Sequence, residues 1–284
     1  MIEIGKTTTL NVLRETDVGY YLGDAEGKEV LLPLSIAEKK YSEKEPVKVF
    51  IYTDSDNRLI ASARTPYAQI NDFAYLRVTS VQEFGAFMDW GLEKDLFVPY
   101  NAQKQKMVAD EFYVVYIYLD TETNRLAASS RLENFIPAEA PDLIPGQEVD
   151  ILVYEESPLG FSGIINNKYK GLIYHNDIFN DVFIGDEMKG YVKTIREDKL
   201  IDLSFRKSGF KNVLDSTDVV MEYLEKHNGF LDLHDKSSPE EISIRLSMSK
   251  ATFKKAIGIL YRHRKVLIKP DGVYQVKDDN TEKA

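Results

Sequence analysis

Several features that would point to an enzyme or a membrane protein are missing from this chain of 284 residues. It contains no cysteine, which excludes disulfide bonds, thiolate nucleophiles and cysteine-ligated zinc, and which fits a reducing compartment. No stretch approaches the roughly 18 consecutive apolar residues that a membrane span requires. The N-terminal residues lack the charged and apolar regions of a secretory signal. These absences predict a cytoplasmic protein that makes no contact with a membrane.

The sequence motifs of common enzyme classes are also absent. There is no glycine-rich loop that ends in Gly-Lys-Ser/Thr, no His-Glu-x-x-His zinc motif and no Gly-x-Ser-x-Gly nucleophile elbow. Two of the four histidines, His175 and His234, stand near aspartates, but such short sets are typical of polar loops. We therefore expect no catalysis, no cofactor and no bound metal ion.

Internal repeats organise about the first 208 residues. The segment Val49–Asp54 returns as Val115–Asp120, and Asn57–Arg64 returns as Asn124–Arg131, so that two copies lie 66 to 67 residues apart. A weaker third copy ends in the run Leu-Ser-Phe-Arg at residues 203–206. A fixed period of this kind indicates that one structural unit is repeated along the chain.

Each copy has the sequence pattern of short β-strands. The apolar runs are rich in valine, isoleucine, tyrosine and phenylalanine, which favour a pleated, half-buried surface. About five short strands in one copy predict a small barrel, and the five-stranded OB-fold is the commonest such unit. We therefore predict a mainly β fold with three tandem OB-fold barrels at residues 1–65, 66–136 and 143–208.

From residue 209 onward the pattern changes to helices. A first helix is predicted over Val213–Glu225, with a glycine stop at Gly229. The run Ser238-Pro-Glu-Glu241 is a capping box with proline at the first helical position, so a second helix should begin there. Ser249 should cap a third helix, and a hairpin follows. This order is that of a winged helix-turn-helix domain, predicted at residues 209–278.

The repeats resemble the S1 RNA-binding domain, whose pattern is an aromatic residue, Gly-Ala-Phe-Val, a later Gly-Leu-Val-His run and a closing Leu-Ser-x-Arg. The second copy has Phe84-Gly-Ala-Phe87, and the third copy ends in Leu203-Ser-Phe-Arg206. Together with the winged helix, the chain resembles the CvfB family of bacterial proteins, named for conserved virulence factor B, along nearly its whole length. The resemblance implies RNA binding and a regulatory role, including virulence, rather than catalysis.

The three copies depart from the family pattern in different ways. We align Leu32, Val98 and Tyr174 with the family's histidine. In the third copy, Phe161 is displaced by one residue from an aromatic position, and such a shift turns a side chain to the other face of a strand. We therefore expect that not all three barrels bind RNA.

The candidate RNA-binding residues of the barrels are aromatic or basic, because rings stack on bases, at about 1–3 kcal/mol per base, within a positive groove. The third copy interleaves rings and charges most closely. The barrel candidates are Tyr21, Phe84, Phe87, Phe161, Lys168, Tyr169, Lys170, Tyr174, His175 and Arg206.

Charge is distributed unevenly along the chain. The formal net charge is -10, but residues 1–64, 65–142 and 143–205 carry -2, -6 and -5, whereas residues 206–284 carry +3. Residues 247–270 contain seven basic residues and no acidic one, and a helix with such a face can lie along a phosphate backbone. These further candidates are Lys250, Lys254, Lys255, Arg262, Arg264, Lys265 and Lys269.

We predict a non-enzymatic protein that binds single-stranded RNA through the third barrel and the basic winged helix, and that regulates gene expression after transcription. Two alternatives stay open, because a fold does not determine function. In one, the acidic first two barrels dock a basic protein partner and no RNA is bound; in the other, the winged helix binds duplex DNA. A protein of the translation or RNA-decay machinery is a further candidate partner.

Overall fold

The computed structural model describes residues 1–54, 56–138, 140, 142–178, 181–205 and 210–276. These residues form three closed five-stranded barrels, followed by three α-helices and a small three-stranded sheet. The fold is therefore mainly β with a helical C-terminal region, as the repeats and the helix signals predict.

The first repeat forms the first barrel. Its strands β1 to β5 are Thr7–Thr16, Gly19–Gly23, Glu29–Pro33, Pro46–Thr53 and Leu59–Ser62. Strand β1 pairs antiparallel with both β2 and β4, and β3 pairs in parallel with β5, so that the order around the barrel is β1-β2-β3-β5-β4. Closure leaves no free sheet edge, which is how small barrels of this kind protect their backbone groups.

The second and third barrels repeat this order. Strands β6 to β10 are Phe73–Gln82, Gly85–Asp89, Leu96–Pro99, Phe112–Asp120 and Arg125–Ser129. Strands β11 to β15 are Glu148–Ser157, Gly160–Ile165, Tyr169–Tyr174, Glu187–Ile195 and Ile201–Ser204. The register of β1 shifts between Val12 and Arg14, and that of β6 shifts between Val78 and Ser80, one repeat later. The copies thus share topology and local irregularities, which confirms the three OB-fold barrels.

The described residues form two compact units. The first unit consists of Met1–Ala138, Leu152–Tyr154 and Ile164–Tyr169, and it contains the first two barrels. The two barrels pack against each other, since Phe50 and Tyr52 on β4 belong to the apolar cluster of the second barrel, and the ring of Phe50 lies 5.4 Å from that of Trp90 and nearly perpendicular to it. The interior of the first barrel is a separate apolar cluster. The division into four separate domains that the repeats suggest stays a prediction.

The C-terminal region has the element order of a winged helix. Its helices are α1 (Phe210–Lys226), α2 (Pro239–Leu246) and α3 (Lys250–Arg262), and its strands are β16 (Phe230–Leu231), β17 (Val266–Lys269) and β18 (Gly272–Gln275). Both predicted caps are confirmed: Ser238 and Glu241 form a capping box, and the Ser249 hydroxyl accepts from the Thr252 amide at 3.1 Å. The apolar side of α3, with Phe253, Ile257 and Leu260, is buried as its spacing predicts.

Candidate nucleic-acid interface

Three phenylalanines cluster on the outside of the second barrel. Phe87 on β7 and Phe97 on β8 stand opposite each other across the two strands, with ring centroids 5.2 Å apart. Phe84, in the turn before β7, lies 6.0 Å from Phe87 and 5.7 Å from Phe97 and is 61% exposed. We call these three residues the aromatic face. The predicted candidates Phe84 and Phe87 are therefore brought together, and Phe97 joins them.

Strand alternation explains why these rings point outward. Ala86 and Val98 are completely buried in the barrel, so Phe87 and Phe97, one residue along each strand, lie on the opposite side of the sheet. Gly85 makes room for one of the rings, because a Cβ atom there would lie 2.6 Å from Cε2 of Phe97 and 2.4 Å from the Val98 carbonyl oxygen. The glycine of the Phe-Gly-Ala-Phe run thus allows the close approach of β7, β8 and the Phe97 ring.

Phe97 was not among the sequence-based candidates. The aromatic residues of the family pattern fall at the second strand of each barrel, whereas Phe97 lies on the third. Its partnership with Phe87 depends on the register of the β7–β8 hairpin. The alternation of the run Leu96-Phe97-Val98 was the available signal, since it puts Phe97 on the face opposite to its two buried neighbours.

In the first barrel, the position that corresponds to Phe87 is covered by a side chain of the same barrel. Tyr21 stands 66 residues before Phe87 in the repeat. The guanidinium carbon of Arg14 lies 4.1 Å from the centroid of the Tyr21 ring, and Arg14 Nη2 donates to Glu29 Oε2 at 2.7 Å. The hydrogen bond from Arg14 lowers the pKa of the Glu29 carboxyl, which keeps the pair charged. A cation over an aromatic ring is attracted to it, so Tyr21 already has a partner on its outward side.

The second barrel has no equivalent cover at this position. Arg14 stands opposite Tyr21 in the β1–β2 ladder, and Ser80 stands opposite Phe87 in the β6–β7 ladder. A serine side chain is too short to lie across a neighbouring ring. Phe87 and Phe97 are half-buried, and Phe84 is the exposed ring of the aromatic face.

The candidates of the third barrel divide between its interior and its surface. Phe161 and Tyr169 are only 8% and 3% exposed, because they occupy inward-facing positions on β12 and β13. Neither ring offers a free face to a ligand, and we leave both out of the interface. The candidates with accessible side chains are Lys168, Lys170, Tyr174 and His175. Arg206 lies outside the described residues.

Tyr174 and His175 have polar partners within the protein. Arg196 donates to the hydroxyl of Tyr174 and holds the Asp202 carboxylate with two hydrogen bonds, of 2.6 and 3.0 Å. Nε2 of His175 lies 2.9 Å from the carbonyl oxygen of Ser157. A ligand would have to compete with these contacts at Tyr174 and His175.

The alignment of the repeats at the end of each third strand needs a correction of one residue. In the first two barrels, the glycine that opens the second strand pairs with Pro33 or Pro99. Gly160, the corresponding glycine of the third barrel, approaches Tyr174 in the same way. The positions equivalent to Tyr174 are therefore Pro33 and Pro99, and our alignment of Leu32 and Val98 with it was wrong. Those two residues are completely buried because they belong to the inward alternation of their strands.

The basic candidates of the winged helix lie on its surface. Lys250 is half-buried, and the other six side chains are exposed. In the part of the chain that the structure describes, none of the seven forms an ion pair. On α3, Lys254 and Lys255 lie on the side opposite to the buried Phe253 and Ile257. Nζ of Lys269, on β17, lies 4.4 Å above the ring of Tyr274. We call these seven residues the basic surface.

The described residues contain no metal-ligand cluster and no membrane-spanning helix. No group of three or more histidine, aspartate or glutamate side chains there is arranged to hold a metal ion. None of the described helices is both long and apolar enough to span a membrane. The expectations of no metal, no cofactor and no membrane contact stay predictions.

Comparisons with known proteins agree with this architecture. Residues 218–274 match the CvfB-like winged helix domain, and residues 4–64 match the S1 domain. The protein YitL of Bacillus subtilis (strain 168) is 29% identical over 286 residues, which cover 96% of this chain and 94% of YitL. Conserved virulence factor B of Staphylococcus aureus (strain MRSA252) is 24% identical over 92% of this chain and 90% of its own length. The resemblance to the CvfB family is confirmed.

The domains matched in this CvfB-like chain are of nucleic-acid-binding types rather than enzymatic ones. A multidomain protein with nucleic acid binding domains from Streptococcus pneumoniae TIGR4 is a similar solved structure, with 22% identity over 96% of this chain and 98% of its own. Its TM-score of 0.40 is too low for the likeness to carry an argument. The S1 match falls on the first barrel, whereas the aromatic face lies on the second.

Proposed function

We propose that the chain binds single-stranded RNA and regulates gene expression after transcription, without catalysing a reaction. The observation that carries this proposal is the aromatic face of the second barrel, formed by Phe84, Phe87 and Phe97. Three rings in mutual contact on an OB-fold surface, with one of them 61% exposed, form a platform on which unpaired bases stack. A duplex keeps its bases stacked on one another, so such a platform favours single strands.

The basic surface of the winged helix supports the same function in a different way. The aromatic face lies in a region of net charge -6, which opposes the approach of phosphates. We therefore expect cations outside that region to supply most of the electrostatic part of the affinity. The basic surface has seven cations that form no ion pair within the described chain, and their charge is available to phosphate oxygens.

The test is binding of the full chain to a labelled single-stranded oligoribonucleotide, followed by fluorescence anisotropy at several salt concentrations. We expect the logarithm of the association constant to fall linearly with the logarithm of the salt concentration, since neutralised phosphates release counterions. The variant Lys255→Glu should weaken binding to all sequences alike and reduce this slope. The matched control is Lys236→Glu, an exposed lysine of the same region outside the basic surface. A plot without slope would contradict the proposal.

Each of the two alternatives predicts a different experimental outcome. Tighter binding to duplex DNA than to single-stranded RNA would identify the winged helix as a duplex DNA reader. Protein partners that stay bound after nuclease digestion, together with no RNA binding by the purified chain, would identify a protein-interaction module. Either result would replace the proposed function.

A further inference from the structure

A cleft opens beside the aromatic face, at the place where the first two barrels meet within the first unit. Its volume is about 270 Å³, close to the lower limit of about 300 Å³ for small-molecule sites. The first barrel contributes Tyr52 and Thr53, and the second contributes the aromatic face, Lys94 and Arg125. We call it the inter-barrel cleft. Because the three phenylalanines line it, the cleft and the aromatic face form one continuous surface.

The walls of the cleft are held in position by contacts to both barrels. Nε1 of Trp90 donates to the carbonyl oxygen of Lys94 at 2.6 Å, and the Trp90 carbonyl oxygen accepts from the amide of Tyr67 at 2.8 Å. The Trp90 ring packs edge-on against Phe50 of the first barrel, within the apolar cluster of the second barrel. The segment that carries Lys94 is therefore anchored before any ligand arrives, which lowers the entropic cost of binding.

Two cations share this cleft. Burial lowers the pKa of the Lys94 ammonium, the positive charge of Arg125 lowers it further, and the negative charge of Asp54 raises it in part. Nε of Arg125 donates to Oδ1 of Asn57. Nζ of Lys94 lies 3.5 Å from the carbonyl oxygen of Thr53, and within the described chain Lys94 forms no ion pair with a carboxylate. Two like charges that repel each other in a partly desolvated place are stabilised by an anion that contacts both. The oxygens of a phosphate have the charge and the geometry for this contact.

Two carboxylates in the cleft limit which anions can enter. Asp95 accepts from the Thr79 hydroxyl at 2.6 Å, and Asp120 accepts from the Thr123 hydroxyl at 2.6 Å, which lowers the pKa of Asp120. These partners occupy part of each carboxylate but leave its negative charge in place. A small free anion is attracted by the two cations but repelled by the two carboxylates, so it gains little binding energy. A ligand that also stacks an aromatic ring on the phenylalanines gains the additional energy it needs.

We propose that the inter-barrel cleft is a subsite for one nucleotide of the bound strand, whose base extends the stack on the aromatic face and whose phosphate contacts Lys94 and Arg125. This inference rests on the proposed function, because the nucleotide is part of the single-stranded RNA bound there. It adds that residues of the first barrel help to enclose the ligand. A duplex is excluded from the subsite, since its bases have no free faces.

The experiment measures binding of a fluorescein-labelled oligouridylate of eight nucleotides to the full chain at several salt concentrations. Lys94→Gln keeps a polar side chain of similar reach but removes the charge. We expect it to lower the slope of the salt plot by about 0.7 and the affinity at low salt by about threefold to tenfold. Lys94→Arg should keep the slope of the unmodified chain. The matched control is Lys106→Gln, an exposed lysine of the same barrel outside the cleft, which should change neither quantity.

The outcomes separate the subsite from the proposed function. If Phe87→Ala weakens binding while Lys94→Gln leaves the slope unchanged, the strand stacks on the aromatic face and the subsite does not exist. If the unmodified chain does not bind the oligouridylate, the proposed function and the subsite both fail. Uridine monophosphate at the concentration of the strand should not displace it, because a single nucleotide lacks the neighbouring stacked bases. Displacement would identify a free-nucleotide site and would overturn the inference.

Discussion

The first two barrels share one topology and pack against each other, yet their outer surfaces differ at the same position. In the first barrel, Tyr21 lies under the guanidinium of Arg14, which Glu29 holds in place. In the second barrel, Phe87 stands opposite a serine and contacts two further phenylalanines, of which Phe97 is half-buried and Phe84 is exposed. The residue on the neighbouring strand therefore differs between the two barrels, and we propose that this residue decides whether the ring is available to a ligand.

This difference shows how a repeated barrel can acquire separate roles without a change of fold. The buried positions are constrained by packing in every copy, so they change little in character between repeats. The outward positions carry no such constraint. A pair such as Arg14 and Glu29 can therefore cover a ring in one barrel, while the equivalent ring of another barrel has no such cover. The mutations that follow test whether this local cover is the cause of the difference.

The largest effect is expected from removing the central ring of the aromatic face. Phe87→Ala should weaken binding of single-stranded RNA by about 1–3 kcal/mol, or about 5-fold to 150-fold, because a stacked base loses its platform. The matched change Tyr21→Ala, at the same position of the first barrel, should alter the affinity by less than about twofold, since that ring is covered by Arg14. Fluorescence anisotropy measures both affinities, and thermal unfolding checks that both variants are folded. Equal losses for the two variants would show that the barrels do not differ in function.

A smaller effect is expected when the cover of the first barrel is copied onto the second. In Ser80→Arg, the new guanidinium stands opposite Phe87, and Asp95 occupies the position equivalent to Glu29. We expect the affinity for RNA to fall by about twofold to tenfold, because the arginine competes with bases for the ring. The control Ser80→Ala should bind as the unmodified chain does. The direction of the change in affinity separates the two explanations. If the added arginine acted only by attracting phosphates, the affinity would rise instead of falling.

The smallest effect is expected when the cover is removed from the first barrel. Arg14→Ala frees the ring of Tyr21, and a single added stacking contact should raise the affinity by up to about fivefold. The measurement is most sensitive in a chain that also carries Phe87→Ala, where the main platform is gone. Arg58→Ala is the matched control, because it removes an arginine of the same barrel that is likewise paired with a carboxylate, in this case that of Asp54. If both arginine variants lower the affinity equally, Arg14 acts as a general cation and not as a cover.

Most of the fold could be predicted from local patterns in the sequence. The repeat of 66 to 67 residues revealed the barrels, because each copy carries the same alternation of buried and exposed residues. The helix caps at Ser238 and Ser249 could be read directly, since a cap depends on residues three apart. Strand β16 was missed because Phe230–Leu231 is two residues long and becomes a strand only by pairing with β18.

The candidate site was harder to predict because it depends on contacts between strands. Whether Tyr21 is free or covered depends on Arg14, which reaches it only through the register of the β1–β2 ladder. Phe97 became part of the aromatic face through the β7–β8 register in the same way. Phe161 shows the opposite case: its position one residue after Gly160 corresponds to that of the buried Ala86, so strand alternation alone indicated an inward ring.

The most direct test of the difference between the two barrels is ultraviolet crosslinking of a single-stranded oligoribonucleotide to the full chain, with the crosslinked residues identified by mass spectrometry. We expect crosslinks at Phe84, Phe87 or Phe97 in the second barrel and none at Tyr21 in the first. Crosslinks at Tyr21, or crosslinks that leave out all three phenylalanines, would contradict the proposal that the aromatic face of the second barrel binds RNA.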